Sequence, residues 1–335
     1  AGPVLDFSAG LNPLGPPPGV WRALRDRTAV TRYPDPDCRA LTERLAALHR
    51  LEPAQVVVGN GASEIIHALP RAFPAARVAI AEPTYTEYLR ASWLAGAAVT
   101  HWLPADESFR PAPFPVDGAG LVWLCNPNNP TGQLWPPGPL RAWVAAHPRT
   151  LFVVDESFLP FHPDEQEHSL VPAVAGADNL VVVRSLTKLY AIPGLRLGYA
   201  ITSPERAACL RAQLPPWSVN AFAQAAGLAA LEDAAFLRRT HAWFREEARP
   251  FAAHLRGLGG LPSEAPFVLL RLGGVTSARL TARLRRHGLL VRDAANFVGL
   301  GPQYVRVAVR TAEENATLLG ALRDGLASAE TEPAE

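Results

Sequence analysis

Seven short β-rich runs, at 56–58, 77–80, 98–102, 121–125, 151–155, 180–184 and 196–202, recur along the chain, with helical patterns at 63–72, 87–95 and 140–146 between several of them. Strands that alternate with helices predict an α/β sheet with helices on both faces. Runs such as LFVV and NLVVV are apolar at successive positions. Neither face of such a strand suits water, so the sheet is predicted to be buried and mostly parallel. After Ser203-Pro204 the pattern changes to helices over 205–213, 219–231 and 234–258. A strand over 266–272, a helix over 277–287, strands over 289–292 and 304–309 and a helix over 312–327 follow. The chain therefore divides into an N-terminal arm (1–32), which packs with the small domain, a large domain (33–203) and a smaller α+β domain (204–335). The tail SAETEPAE is expected to fray, and no internal repeat is present.

The 335 residues, 48% apolar and 19% charged, suit a globular enzyme with a sizeable core. A net charge of +1 without a basic cluster argues against nucleic acid as a partner. No apolar run approaches the ~20 residues of a membrane span, and no signal peptide is expected. Three scattered cysteines, Cys38, Cys125 and Cys209, cannot make a disulfide framework and point to a reducing cytoplasm. Methionine is absent, the initiator included, so a processed or trimmed N-terminus is expected.

Of the 32 basic residues one is a lysine, Lys188, and every other is an arginine. An amine can lose its proton and attack a carbonyl to form a Schiff base; a guanidinium cannot. Ser185 and Thr187 precede Lys188 within a turn, and Arg196 follows the Pro193-Gly194 turn. Hydroxyls and a fixed cation are donors suited to a phosphate. An amine beside a phosphate cradle suggests a phosphorylated aldehyde cofactor, pyridoxal 5'-phosphate.

In open α/β sheets ligands bind beyond the carboxyl ends of the strands. The first run leads into GNGASE, where Gly59 and Gly61 permit a tight turn and the amides of Gly61, Ala62 and Ser63 open a helix that can bind phosphate. Glu64 stands where a dinucleotide fingerprint needs its third glycine. The second run leads into EPTYTEY, whose Tyr85 either stacks on an aromatic ring or packs under the loop. Residues 121–125 run into the turn sequence NPNNPTG, and 151–154 end in Asp155. A carboxylate after four buried apolar residues is costly unless paired, and a protonated pyridine nitrogen is such a partner. The segment FHPDEQEH, with His162 and His168 around three acids, lacks the apolar frame of a metal site and reads as a solvated surface loop.

GNGASE, EPTY, NPNNPTG, DESF and SLTKLYAIPGLRLGY, in this order and spacing, resemble the fold type I pyridoxal-phosphate enzymes, the class I/II aminotransferase superfamily, over nearly the whole chain. DFSAGLNPLGPP, YPDPDCRAL, RDAANF and YVRVAVR resemble the threonine-phosphate decarboxylases of cobalamin synthesis, and next the histidinol-phosphate aminotransferases. The resemblance implies a large domain on a mostly parallel seven-stranded sheet and a smaller α+β C-terminal domain. It implies that Lys188 forms the Schiff base, Asp155 pairs with the pyridine nitrogen, Asn129 bonds the ring 3'-oxygen near the substrate carboxylate, and Tyr85 covers the ring. Ser185, Thr187, Arg196 and the Gly61-Ala62-Ser63 turn would bind the cofactor phosphate. It further implies a homodimer in which Tyr33 reaches the neighbouring subunit's phosphate, with Arg306 on the substrate carboxylate, Arg292 on its phosphate and Asn12 closing over them.

Two departures bear on function. Phe158 stands where many aminotransferases carry a tyrosine near the 3'-oxygen, a change tolerated among the decarboxylases. The His-Gly-Gly segment usual ahead of DFSA in the decarboxylases is not found in AGPVL, so an incomplete phosphate pocket or a trimmed segment is expected. A ligand-sensing regulator would need a winged-helix segment and a basic face, and the chain has neither. A non-catalytic binding protein would not need both Lys188 and Asp155. The expected function is decarboxylation of L-threonine O-3-phosphate to 1-aminopropan-2-ol phosphate, with an aminotransferase of the histidinol-phosphate type as the alternative.

Overall fold

A computed structural model of the chain describes residues 4–116 and 118–327; the tail SAETEPAE lies outside the described residues. After a short strand, β1 (Leu5–Asp6), come β2 (Val56–Asn60), β3 (Arg77–Ala81), β4 (Ala98–Trp102), β5 (Leu121–Cys125), β6 (Leu151–Asp155), β7 (Leu180–Ser185) and β8 (Leu197–Ile201). These last seven form one sheet in the order β2-β8-β7-β6-β5-β3-β4, and β8 alone runs antiparallel to its neighbours. Each expected run is a strand; β8 starts one residue late because Arg196 takes a left-handed φ of 60°.

Every residue of β5, β6, β7 and β8 is buried, as their mostly apolar character requires, and the polar Asp155, Arg184 and Ser185 at the ends of β6 and β7 are buried with them. Alternate side chains enter two separate cores, one on each sheet face. Val122, Leu124, Phe152 and Val154 join one, and Leu121, Trp123, Leu151 and Val153 the other. Each such aliphatic side chain contributes about 1.5–3 kcal/mol when fully buried, so a charge at Val153 would break the sheet from inside. With the sheet mostly parallel, the carboxyl ends of β2, β3, β5, β6 and β7 share one edge, where the reversed β8 begins. The motifs that follow these strands are thereby gathered along one line.

The C-terminal part holds β9 (Phe267–Arg271), β10 (Leu289–Leu290), β11 (Arg292–Asp293) and β12 (Tyr304–Ala308). The strand expected over 289–292 is two: β10 pairs in parallel with β1 of the N-terminal segment, and β11 pairs antiparallel with β12. The chain changes sheets at the buried Val291. The helix expected over 234–258 is continuous but widens to a π turn at Phe244–Ala248, where the Arg249 N–H donates to the Phe244 carbonyl. Pro250 follows at once and has no N–H to offer the preceding turn, which accounts for the change in winding. Among the described residues no helix is long and apolar enough to cross a membrane.

Candidate active site

A cavity of about 390 Å³ opens at the carboxyl edge of the large sheet, with walls from the strand ends, the N-terminal segment and the β11–β12 region. One end is built for an anion. Ala62 and Ser63 line it at the first turn of the helix Gly61–Ala72, which carries no side-chain cap, so its leading amides are unspent. Gly61 has φ +77°, and a Cβ there would lie 2.5 Å from the Arg196 guanidinium. Gly198 on β8 is equally constrained, since a Cβ would meet the Ala62 nitrogen at 2.3 Å. Ser185 caps the short helix Leu186–Leu189 by accepting from the Thr187 N–H at 3.3 Å, and the two hydroxyls lie 2.7 Å apart. Arg196 closes this end, with one guanidinium nitrogen donating to the Pro193 carbonyl.

The middle of the cavity holds Lys188, Asp155 and Tyr85. Burial, then the Arg306 and Arg196 cations, push the Lys188 ammonium below the usual lysine range, against the Asp155 carboxylate, which raises it. Burial raises the Asp155 carboxyl, opposed chiefly by hydrogen bonds from Ser157 and Tyr88. The Tyr88 hydroxyl donates to Asp155 Oδ2 at 2.7 Å and the Ser157 N–H to Oδ1 at 2.9 Å. Tyr85 packs edge-on to Tyr88, with ring centroids 5.6 Å apart.

The far end is cationic. Arg306 is 7% exposed, and its guanidinium lies 4.8 Å from the centroid of the Phe267 ring. It donates to Asn129 Oδ1 and, at 2.6 Å, to the Ser8 carbonyl, while its Nε has no partner. Burial and the nearby Arg292 push its pKa down to about 10, so it remains a cation at neutral pH. Arg292 is directly opposite Arg306 in the β11–β12 register. It donates to the Asp293 carbonyl and Asn296 Oδ1, both at 2.7 Å, and lies 5.2 Å from the Phe297 ring centroid. Among the described residues no carboxylate pairs with either arginine. Phe158 lines the same cavity and packs edge-on to Phe267 at 4.9 Å.

Two expected site residues stand apart from these walls. Asn12 is buried, and its amide donates to the Leu189 carbonyl and Thr240 Oγ1, both at 2.8 Å, which fastens the N-terminal segment instead of facing the cavity. Tyr33 is 83% exposed and packs on Trp217 with centroids 5.0 Å apart. A further expectation needs correcting: His162 is buried, not solvated. Its Nδ1 accepts from the Asp164 N–H at 3.1 Å, and its Nε2 lies 3.3 Å from Glu264 Oε2, across from the C-terminal part. Conversely, Tyr88, Ser8 and Phe297 line the cavity without having been singled out. Tyr88 had a signal only in standing three residues after Tyr85 within the same EPTYTEY segment.

The aminotransferase class I and II family model matches residues 2–322. The chain is 39% identical to the threonine-phosphate decarboxylase of Salmonella typhimurium, with 96% of this chain and 91% of that one covered. It is 40% identical to a histidinol-phosphate aminotransferase of Symbiobacterium thermophilum, with 94% and 88% covered. The crystal structure of the histidinol-phosphate aminotransferase from Clostridium acetobutylicum superposes with a TM-score of 0.88 at 29% identity, covering 96% of this chain and 98% of that one. The chain belongs to the class I and II aminotransferase family, with the fold type I architecture, and its cofactor is pyridoxal 5'-phosphate. The residues present fit that group: an amine between cations, a buried carboxylate held by two donors, and a glycine cradle that a Cβ would fill.

Proposed function

We propose that this chain decarboxylates an amino acid that also carries a phosphate, with L-threonine O-3-phosphate as substrate, 1-aminopropan-2-ol phosphate as product and cobalamin synthesis as the setting. The observation that carries the reading is the Arg292–Arg306 pair. Like charges directly opposite on antiparallel strands are destabilising, and a buried cation without a counter-ion is costlier still. A substrate bearing a carboxylate and a phosphate relieves both, with Arg306 on the carboxylate and Arg292 on the phosphate.

The cofactor, when bound, supplies an aldehyde for the substrate amine and a ring that withdraws electrons from Cα. Lys188, whose ammonium is held below the usual lysine range by burial, takes and returns the proton of that exchange, and Asp155 partners the ring nitrogen. Asn129 reaches the ring oxygen while accepting from Arg306, so cofactor and substrate carboxylate are positioned by one contact. Ser185, Thr187, Arg196 and the Gly61-Ala62-Ser63 turn hold the cofactor phosphate, and Tyr85 covers the ring. Asn12 acts by tethering the N-terminal segment whose Ser8 carbonyl holds Arg306. The division into an arm (1–32), a large domain (33–203) and a small domain (204–335) belongs to this proposal, as does a homodimer. A cytoplasmic setting accords with Cys38, Cys125 and Cys209 all being free.

The grip of Arg306 on the carboxylate decides whether the bond to CO2 or the bond to hydrogen is aligned for cleavage. Phe158 leaves the neighbouring wall without a hydroxyl, which favours decarboxylation. The 40% identity to an aminotransferase favours the alternative. A paired assay separates them: CO2 released from threonine phosphate is expected, whereas glutamate from histidinol phosphate plus 2-oxoglutarate, with no CO2 from the first, gives the function to transamination.

A further inference from the structure

We propose that Tyr88 is a positioning residue for this reaction, whose hydroxyl holds the proton shared by Asp155 and the cofactor ring on the ring nitrogen. The inference rests on the reading of Asp155 as the ring partner. Tyr88 is fully buried, and its ring lies parallel to Trp123, 6° apart in plane and 4.9 Å between centroids. The indole N–H of Trp123 donates to Ser92 Oγ at 3.0 Å, and that hydroxyl donates to the Tyr88 carbonyl at 2.8 Å. Backbone and ring are thus both fixed, and the phenol has one orientation toward Asp155 Oδ2, 2.7 Å away.

A phenol facing a carboxylate donates as long as it keeps its proton. Burial and the Asp155 charge push the Tyr88 phenol well above its usual range. Its other titratable neighbours stay neutral as well: burial pushes the Cys125 thiol up to about 12 and raises the Tyr85 phenol packed edge-on to Tyr88. Tyr88 is therefore a donor at every working pH, and it lowers the proton affinity of a carboxylate that burial raises. Without it Asp155 becomes the stronger base of the pair, the proton moves toward the carboxylate, and the ring loses the positive charge that draws electrons from Cα.

The test uses the holoenzyme carrying pyridoxal phosphate labelled with 15N in the ring. Tyr88→Phe keeps the ring and its stack on Trp123, so the fold is retained. Its nitrogen resonance should move from the protonated toward the unprotonated position, with kcat lower by about tenfold to a hundredfold, the span of one hydrogen bond to a charged group, and KM within about twofold. A resonance that stays put overturns the proposal whether kcat falls or not, since a purely structural role would leave the nitrogen unchanged. Asp155→Asn is the control. If it too leaves the resonance at the protonated position, the failure lies in the assignment of Asp155, and the Tyr88 proposal falls with it.

Discussion

A lysine ammonium at its ordinary pKa near 10.4 is almost wholly protonated at pH 7 and has no lone pair to offer. At Lys188 burial and the cations of Arg306 and Arg196 act in the same sense, each disfavouring the charged form, and Asp155 opposes them. The amine is thereby made available where an arginine would stay charged. Lys188→Ala and Lys188→Arg are each expected to lose nearly all turnover. Because Lys188 is the only lysine in the sequence, borohydride reduction in the presence of pyridoxal phosphate should label one lysine peptide, read by mass spectrometry. Activity in Lys188→Arg comparable to the parent would falsify the assignment.

At the scale of elements, the site depends on how closely β8 passes the first turn of the Gly61–Ala72 helix. A Cβ at position 198 meets the Ala62 nitrogen at 2.3 Å, and that contact is backbone and cannot swing away. Gly198→Ala is expected to push the helix start off the cofactor phosphate and weaken pyridoxal phosphate binding at least about tenfold, roughly 1.4 kcal/mol, as measured by equilibrium dialysis. Unchanged affinity would show that these amides do not hold the phosphate. The elements themselves were legible because β5 to β8 are buried on both faces and so are mostly apolar up to their ends, a pattern that needs no tertiary information. The split at Val291 was not legible: residues 289–292 read as one strand, and only the positions of β1 and β12 assign its halves to different sheets. Lys188 stood out as the one amine and Asp155 as a costly acid at the end of an apolar run, Arg306 was expected only from the resemblance, and the cavity joins the three. The Arg292–Arg306 facing register and the Tyr88–Asp155 bond depend on pairings between distant segments, which local pattern does not encode. His162 misled for the same reason, since Glu264 lies about a hundred residues away in the chain.

At the scale of the molecule, Tyr33 is the residue that a single chain does not explain. It stands 83% exposed beside Trp217, which is 47% exposed, and Trp21 and Val30 are exposed at 56% and 71% in the same N-terminal stretch. An exposed aromatic pair of this kind suits a protein interface, and Tyr33 is not among the walls of its own chain's cavity. In the proposed homodimer each Tyr33 completes the phosphate end of the partner's site. Two chains related by a two-fold axis exchange the same residues, and this gives a test that a purely structural Tyr33 would fail. Tyr33→Ala and Lys188→Ala are each expected to be nearly inactive alone. When the two are unfolded together and reassembled, a mixed dimer carries one site with Lys188 from one chain and Tyr33 from the other, and a second site lacking both. Random assembly makes about half of the dimers mixed, each with one working site of two, so activity should recover to about a quarter of the parent. Sedimentation velocity checks that dimers form. Recovery absent from a verified mixed dimer would place Tyr33 outside the site, whereas Tyr33→Ala active by itself would reduce it to surface packing.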